Sequence, residues 1–222
     1  AYIGDPRFVD VPVTGMLSSE YAAMQRARIN LTKAFGALPL PGKPPGAQRE
    51  PFVPTLTSYP TAAPGTALDT IYCCVVDAEG NAYSATLSDN ARDTPVIPSL
   101  GGTVSSRGAQ GRLEKGHPSE VRPGKRPRLT PTPALALCDG EFAIGFGTPG
   151  GDVQTQAMLQ VYLNITEFGM TVQEAIEKPR FGTFIFPNSF SPHAIGKFNV
   201  ESRLPESTVS ALKNLGHDVQ LW

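Results

Sequence analysis

Two stretches of the sequence carry residue types that could do chemistry. The first opens at Thr70, in Thr70-Ile71-Tyr72-Cys73-Cys74-Val75-Val76-Asp77, directly behind a long proline-rich segment. A threonine hydroxyl is a weak nucleophile at neutral pH, but at the first position of a processed chain its own α-amine, with a reference pKa of about 8, can serve as the base. That design needs no histidine. On spacing alone, an ordinary threonine at the start of a strand remains the simpler reading. The second stretch is Thr148-Pro149-Gly150-Gly151. Consecutive glycines let two backbone N–H groups converge on one point, and a helix start behind them adds positive potential, which is what an oxyanion hole requires. A tight strand-to-helix turn that needs glycine is the alternative.

Other candidates fall away on context. Gly145-Phe146-Gly147-Thr148-Pro149-Gly150 spells G-x-G-x-x-G after a strand and before a helix. A dinucleotide site also needs a second strand ending in an acid, and here the helix leads into another helix. His117, His193 and His217 lie in loop sequence or behind a helix-stop glycine, and none sits with a serine and an acid in a nucleophile elbow. The three cysteines cannot complete a disulfide set. Cys73 and Cys74, adjacent on a strand, point to opposite faces and read as buried small hydrophobes. No metal and no cofactor is expected.

The elements that must position these residues are hairpins and one long helix. The Val, Ile, Tyr and Cys residues of 70–76 and the run Ala82–Ser88 read as paired strands turning through Asp77–Asn81, and 133–138 with 142–146 as a second pair around Asp139-Gly140-Glu141. An apolar stripe predicts a helix from Asp152 to about Phe168, buried on most sides. Thr171-Val172-Gln173-Glu174 is a capping-box start for a short helix, and Pro205–Leu215 a last one stopped by Gly216. Arg180–Phe186 and His217–Trp222 read as strands, the latter with no evident partner. Upstream, residues 1–17 are expected to be extended, Ser18 or Ser19 to cap a helix running to about Asn30, and the eight prolines between Pro39 and Pro64 to form a mobile, solvent-exposed tether. Asp89–Thr132 reads as a long loop with a basic knot at Lys125, Arg126 and Arg128. Hairpins followed by helices indicate an α+β fold with a mostly antiparallel sheet.

Composition sets the limits. The chain has 222 residues, 40% hydrophobic and 18% charged, with formal net charge -1. It can bury a core, and it exerts no global pull on nucleic acid or an anionic membrane. No window is long and apolar enough to span a bilayer. The first residues lack the basic region and apolar core of a signal peptide, so the compartment, cytoplasm or periplasm, stays open.

The stretch Thr70–Val76 followed by Asp77-Ala78-Glu79-Gly80-Asn81-Ala82 resembles the start of the small subunit of γ-glutamyltranspeptidases. Gly124-Lys125-Arg126-Pro127, Gly147-Thr148-Pro149-Gly150-Gly151 and Glu174-Ala175-Ile176-Glu177-Lys178-Pro179-Arg180-Phe181 follow in the family's order, and Gly4-Asp5-Pro6-Arg7-Phe8-Val9 resembles the end of its large subunit. The resemblance implies an N-terminal nucleophile hydrolase, a four-layer αββα sandwich of which this chain holds part. It implies that residues 1–69 end the large subunit with its proline-rich tether and that 70–222 form a C-terminally truncated small subunit. It further implies self-cleavage before Thr70, with Thr70 as nucleophile, Ser88 as its supporting hydroxyl, Gly150 and Gly151 as the oxyanion hole and Asn90 near the substrate's α-carboxylate. The partners it implies are a small amide or γ-glutamyl donor and the remainder of the large subunit, as a heterodimer or a dimer of heterodimers.

The departures bear on the donor. Family members carry acidic and amide residues after the second strand to hold the donor's α-amino group, where this chain has Val104-Ser105-Ser106-Arg107-Gly108-Ala109-Gln110, and a serine pair after K-R-P, where it has Leu129-Thr130. Arg107 in place of an acid favours a donor with no free α-amine. The competing expectation is a catalytically silent or binding-only relative.

Overall fold

The computed structural model describes residues 1–36, 38–53, 70–89, 94–184 and 197–222. The chain divides into two compact units, Ala1–Tyr59 with Arg107–Leu129, and Pro60–Ser106 with Thr130–Trp222.

The first unit is built around loops. Its helices are short, α1 (Val13–Met16), where extended chain was expected, and α2 (Ser19–Arg26). Ser18 caps α2 by accepting from the Tyr21 N–H at 3.1 Å, as its position predicts. The helix stops four residues short of Asn30. The proline-rich stretch corrects the reading of a free tether as far as it is described. Pro44 is buried, and a Cβ on Gly15 would lie 2.0 Å from the Pro45 carbonyl oxygen, so the two backbones touch where only glycine fits. Arg49 donates through Nη2 to the carbonyls of Ala1 (3.1 Å) and Tyr2 (3.0 Å). Prolines cannot join a ladder, yet their fixed φ angles and free carbonyls make a segment that packs and accepts. Residues 54–69 of that stretch lie outside the described residues.

The second unit is made of ladders. Strands β1 (Ile71–Val76) and β2 (Ala82–Leu87) form the expected antiparallel hairpin. Asp77 shapes its turn, with Oδ1 accepting from the N–H groups of Glu79 (3.1 Å) and Asn81 (2.8 Å). The loop that follows contains a small hairpin of β3 (Val96–Ile97) and β4 (Gly102–Thr103), which the sequence reading missed. Strands β5 (Ala134–Cys138) and β6 (Glu141–Phe146) form the second large hairpin, closed by Asp139 (φ 53°) and Gly140 (φ 86°), the positive pair that a two-residue turn of this hand requires.

Behind β6 a 3₁₀ turn, Gly151–Val153, feeds α3 (Gln154–Thr166). In this chain α3 is not buried on most sides: Gln154 and Met158 are buried, but Leu159 is 57% exposed. Phe146 of β6 stacks on Tyr162 of α3 at 5.5 Å. Helix α4 (Val172–Glu177) has the predicted capping box at Thr171 and Glu174. The last sheet has the order β7 (Phe181–Thr183), β8 (Lys197–Val200), β9 (Asp218–Leu221), with α5 (Glu206–Asn214) between the last two strands. Strand β8, which the sequence reading missed, is the partner that β9 lacked, and the two run parallel. On the other edge of β7, two glutamines of α3 mimic a strand. Gln156 bonds both the N–H (2.8 Å) and the C=O (2.9 Å) of Thr183, and Gln160 does the same for Phe181 at 3.1 and 2.9 Å. An edge that would template aggregation is thereby closed.

Candidate active site

Successive side chains of a strand alternate between faces, so Thr70, Tyr72 and Cys74 share one face of the first hairpin. Ile71 pairs with Leu87 and Tyr72 with Thr86, which puts Ser88, Thr86 and Ser84 on that same face. This face is rich in hydroxyls. Thr70 Oγ1 lies 2.7 Å from Ser88 Oγ, and Tyr72 Oη lies 2.9 Å from Ser84 Oγ. Burial raises the Tyr72 phenol above its ordinary pKa, against a smaller opposing effect of the Ser84 hydrogen bond, so the phenol stays neutral.

Tyr72 also fixes what stands opposite. A Cβ on Gly147 would lie 2.2 Å from its ring, and one on Gly145 would lie 3.3 Å from Cβ of Cys74. The glycines at the end of β6 are therefore needed for close approach of the two hairpins. Two residues along a strand span about 7 Å. The loop Gly147–Gly151 thus leaves β6 against the ring of Tyr72, two residues along the strand from Thr70.

Gly150 has φ 131° and Gly151 φ 57°, both in the region that side chains rarely adopt. Among the described residues no hydrogen bond uses the N–H of either glycine. The first turn of α3 behind them is pinned by Gln154, which is fully buried and accepts from Thr132 Oγ1 at 3.1 Å. Two free donors on a rigid, glycine-dependent turn can stabilise a developing negative charge.

The other expected residues stand elsewhere. Arg107 belongs to the first unit, in the 3₁₀ turn Ser106–Gln110, and is buried. With its amide oriented for both partners, Gln110 accepts from Arg107 Nη1 at 3.0 Å and donates to the Arg128 carbonyl at 2.6 Å. Asn90 lies outside the described residues. Cys73, Cys74 and Cys138 are free and exposed in this chain, contrary to the buried hydrophobes expected. The sequence reading missed Tyr72 and Asp89. Asp89, next to Ser88, accepts from the hydroxyls of Ser105 (3.1 Å) and Ser106 (3.5 Å), tying the loop after β4 to the end of β2. An acid directly after a hydroxyl residue was the available signal. Among the described residues no helix is long and apolar enough to cross a membrane, and no group of three or more His, Cys, Asp or Glu side chains could hold a metal ion.

The family model of γ-glutamyltranspeptidase matches residues 1–221. The chain is 32% identical over 201 residues to a glutathione hydrolase proenzyme of Pseudomonas sp. (strain A14), covering 85% of this chain and 32% of that protein. It is 29% identical over 224 residues to an oxamate amidohydrolase proenzyme of Klebsiella pneumoniae, covering 100% of this chain and 37% of that one. The solved structure of LmbA2991T421A superposes with a TM-score of 0.86 at 35% identity, over 100% of this chain and 39% of that chain. The chain thus spans about a third of the length of the curated relatives it matches. Its elements are part of the α+β, four-layer αββα sandwich of N-terminal nucleophile hydrolases, as the sequence reading expected. Matched over nearly its whole length, the chain belongs to the γ-glutamyltranspeptidase family.

Proposed function

We propose that Thr70 is the nucleophile of a self-processing amidohydrolase or acyltransferase. The observation that carries this reading is the 2.7 Å contact between Thr70 Oγ1 and Ser88 Oγ, on the strand face that stands over Gly147. In processing, Oγ1 of Thr70 adds to the carbonyl carbon of Asp69. The C–N bond breaks as its nitrogen takes a proton, and water hydrolyses the resulting ester. Residues 1–69 then end a large subunit, and Thr70 begins a small one with a free α-amine. In turnover that amine accepts the hydroxyl proton while Oγ1 attacks the donor amide. Gly150 and Gly151 N–H groups hold the oxyanion, the α-ammonium of Thr70 passes its proton to the donor's amide nitrogen as the C–N bond breaks and the donor's amine departs, and water or an acceptor amine cleaves the acyl-enzyme. Ser88 orients Oγ1, and Asn90 serves the substrate. The remainder of the large subunit is the partner, in a heterodimer.

The donor lacks a free α-amine in this reading. The sequence carries Arg107 and no acid in the stretch where the resemblance implies one, which removes the counter-charge for an ammonium group. The oxamate amidohydrolase among the relatives is consistent with this, since an oxamate acyl group bears a carboxylate and no ammonium. Glutaryl-anilide and γ-glutamyl-anilide differ by the α-amino group alone, and the glutaryl compound should be cleaved with the higher kcat/KM. Preference for the γ-glutamyl compound would return the protein to ordinary γ-glutamyl transfer. N-terminal sequencing should find a fragment beginning Thr-Ile-Tyr. A chain that remains in one piece and turns over neither anilide would instead be the silent relative.

A further inference from the structure

The second unit holds a cavity of about 510 Å³ in which Thr70 takes no part. Its size falls within the roughly 300–1,000 Å³ of small-molecule sites. Thr148, Pro149 and Gly150 line it, as do Val153 and Ala157 of the segment running into α3. Phe181, Phe184 and Trp222 form an aromatic wall. Phe184 and Trp222 meet edge to face at 6.1 Å, and the backbone N–H of Trp222 donates to the Val200 carbonyl at 2.9 Å.

The charge at the cavity has a definite sign. Arg180 and Glu201 both line it. Glu201 accepts from Arg180 Nε at 3.1 Å and from Arg203 Nη2 at 2.6 Å, so one carboxylate answers two guanidinium groups and the trio carries a surplus positive charge. Burial opposes ionisation of Glu201, but the hydrogen bonds from Arg203 and Arg180 outweigh it and hold its pKa below the usual value. Arg180 uses only Nε in this pair, and among the described residues its two Nη groups make no hydrogen bond. A guanidinium with unused donors beside an aromatic wall is suited to a carboxylate with an apolar body.

We propose that this cavity binds a small organic carboxylate whose body is apolar and preferably aromatic, the body lying on Phe181, Phe184 and Trp222 and the carboxylate on the Nη groups of Arg180. The site is separate from the nucleophile, so its binding does not depend on the role given to Thr70. It shares Gly150 with the turn proposed to hold the oxyanion, so an occupant touches that turn.

Trp222 is the single tryptophan of this sequence and lines the cavity, so a Trp222→Phe variant isolates its signal. Titration of the polypeptide carrying this chain with phenylacetate should change tryptophan fluorescence saturably, and Trp222→Phe should abolish that change. Phenylacetamide and phenethylamine, with the same ring but neutral or cationic heads, should bind at least about tenfold more weakly, the scale of a lost charge-assisted hydrogen bond. Arg180→Gln should weaken phenylacetate by a similar factor. Because that change also loosens Glu201, Ala157→Leu serves as the second variant: it fills the cavity from α3, leaves the ion pair intact and should abolish binding with an unchanged circular dichroism spectrum. Thr70→Ala should bind phenylacetate as the parent does, which separates this proposal from the catalytic one. No saturable change in folded protein, equal affinity for the three head groups, or undiminished binding in Ala157→Leu overturns it.

Discussion

The two units of this chain are held together by different physics. In the first, the centre is a buried charge. The Asp5 side chain is inaccessible to solvent, and its carboxylate accepts from Arg7 Nη2 and Arg126 Nη2, both at 3.0 Å, and from the Arg126 N–H at 2.9 Å. The Arg7 hydrogen bonds first, and those of Arg126 next, hold its carboxyl well below the usual carboxylate range. Beside it, a Cβ on Gly4 would meet the Pro118 carbonyl oxygen at 2.3 Å, so backbone again lies directly on backbone. In the second unit the same work is spread over strand ladders, two hairpin turns and the glutamines of α3. A region pinned at one charge fails at one point. A region built from ladders tolerates single losses in its fold, and its sensitive positions are those that do chemistry.

That contrast predicts that the largest effects on activity arise in the second unit with almost none on folding. Thr70→Ala should abolish cleavage and lower anilide turnover by ~10⁴-fold or more, the scale for removing a nucleophile, with an unchanged circular dichroism spectrum. Thr70→Ser, which keeps a hydroxyl, should retain part of both. Gly151→Ala comes next. A side chain there is strained at φ 57° and displaces a donor, and losing one oxyanion donor typically costs ~3 kcal/mol of transition-state stabilisation, so kcat should fall by roughly 10²-fold. An unchanged kcat in a folded Gly151→Ala protein removes these glycines from the mechanism.

The first unit should break under acid instead. Burial, and then the charge of Arg112, push His117 down to about 4, so between pH ~6.5 and ~4 the unfolded chain binds a proton that the folded one refuses. Stability contributed by the neutral imidazole is therefore complete above pH ~6.5 and declines as the pH falls toward 4. Asp5 acts below that window. Its folded pKa is depressed, so its contribution is present above the unfolded value of about 3.9 and is lost as the pH drops further. The melting temperature followed from pH 7 to pH 3 should fall in two stages, His117→Gln flattening the upper one and Asp5→Asn the lower. Equal acid sensitivity of parent and both variants would erase the distinction between the units.

The smallest effect is expected at Tyr72. Tyr72→Phe keeps the ring on Gly147 and removes only the hydrogen bond to Ser84, a loss of about 1 kcal/mol. Turnover should change less than tenfold. Tyr72→Ala, which frees Gly147, should lower kcat well beyond that, and equal effects of the two would place the role in the hydroxyl instead of the ring.

What the amino-acid sequence determined by itself is local. The Asp77–Asn81 turn, the Ser18 cap and the Thr171 and Glu174 capping box were legible because each is set by side chains within four residues of the backbone they bond, and the Asp139-Gly140 turn because its residue types suit positive φ. Thr70 and the glycine pair were legible as candidates, since their types and order are sequence properties. Tertiary structure decided the rest. Pro45 lies on Gly15 thirty residues away, so no window of the sequence distinguishes a docked proline segment from a free one. Strand β9 finds its partner across α5, and β7 is closed by glutamines on a helix that precedes it, pairings governed by which edges meet in space. Tyr72 read as one more strand aromatic, and only the packing of the two hairpins made its ring the spacer between the hydroxyl face and the glycine turn.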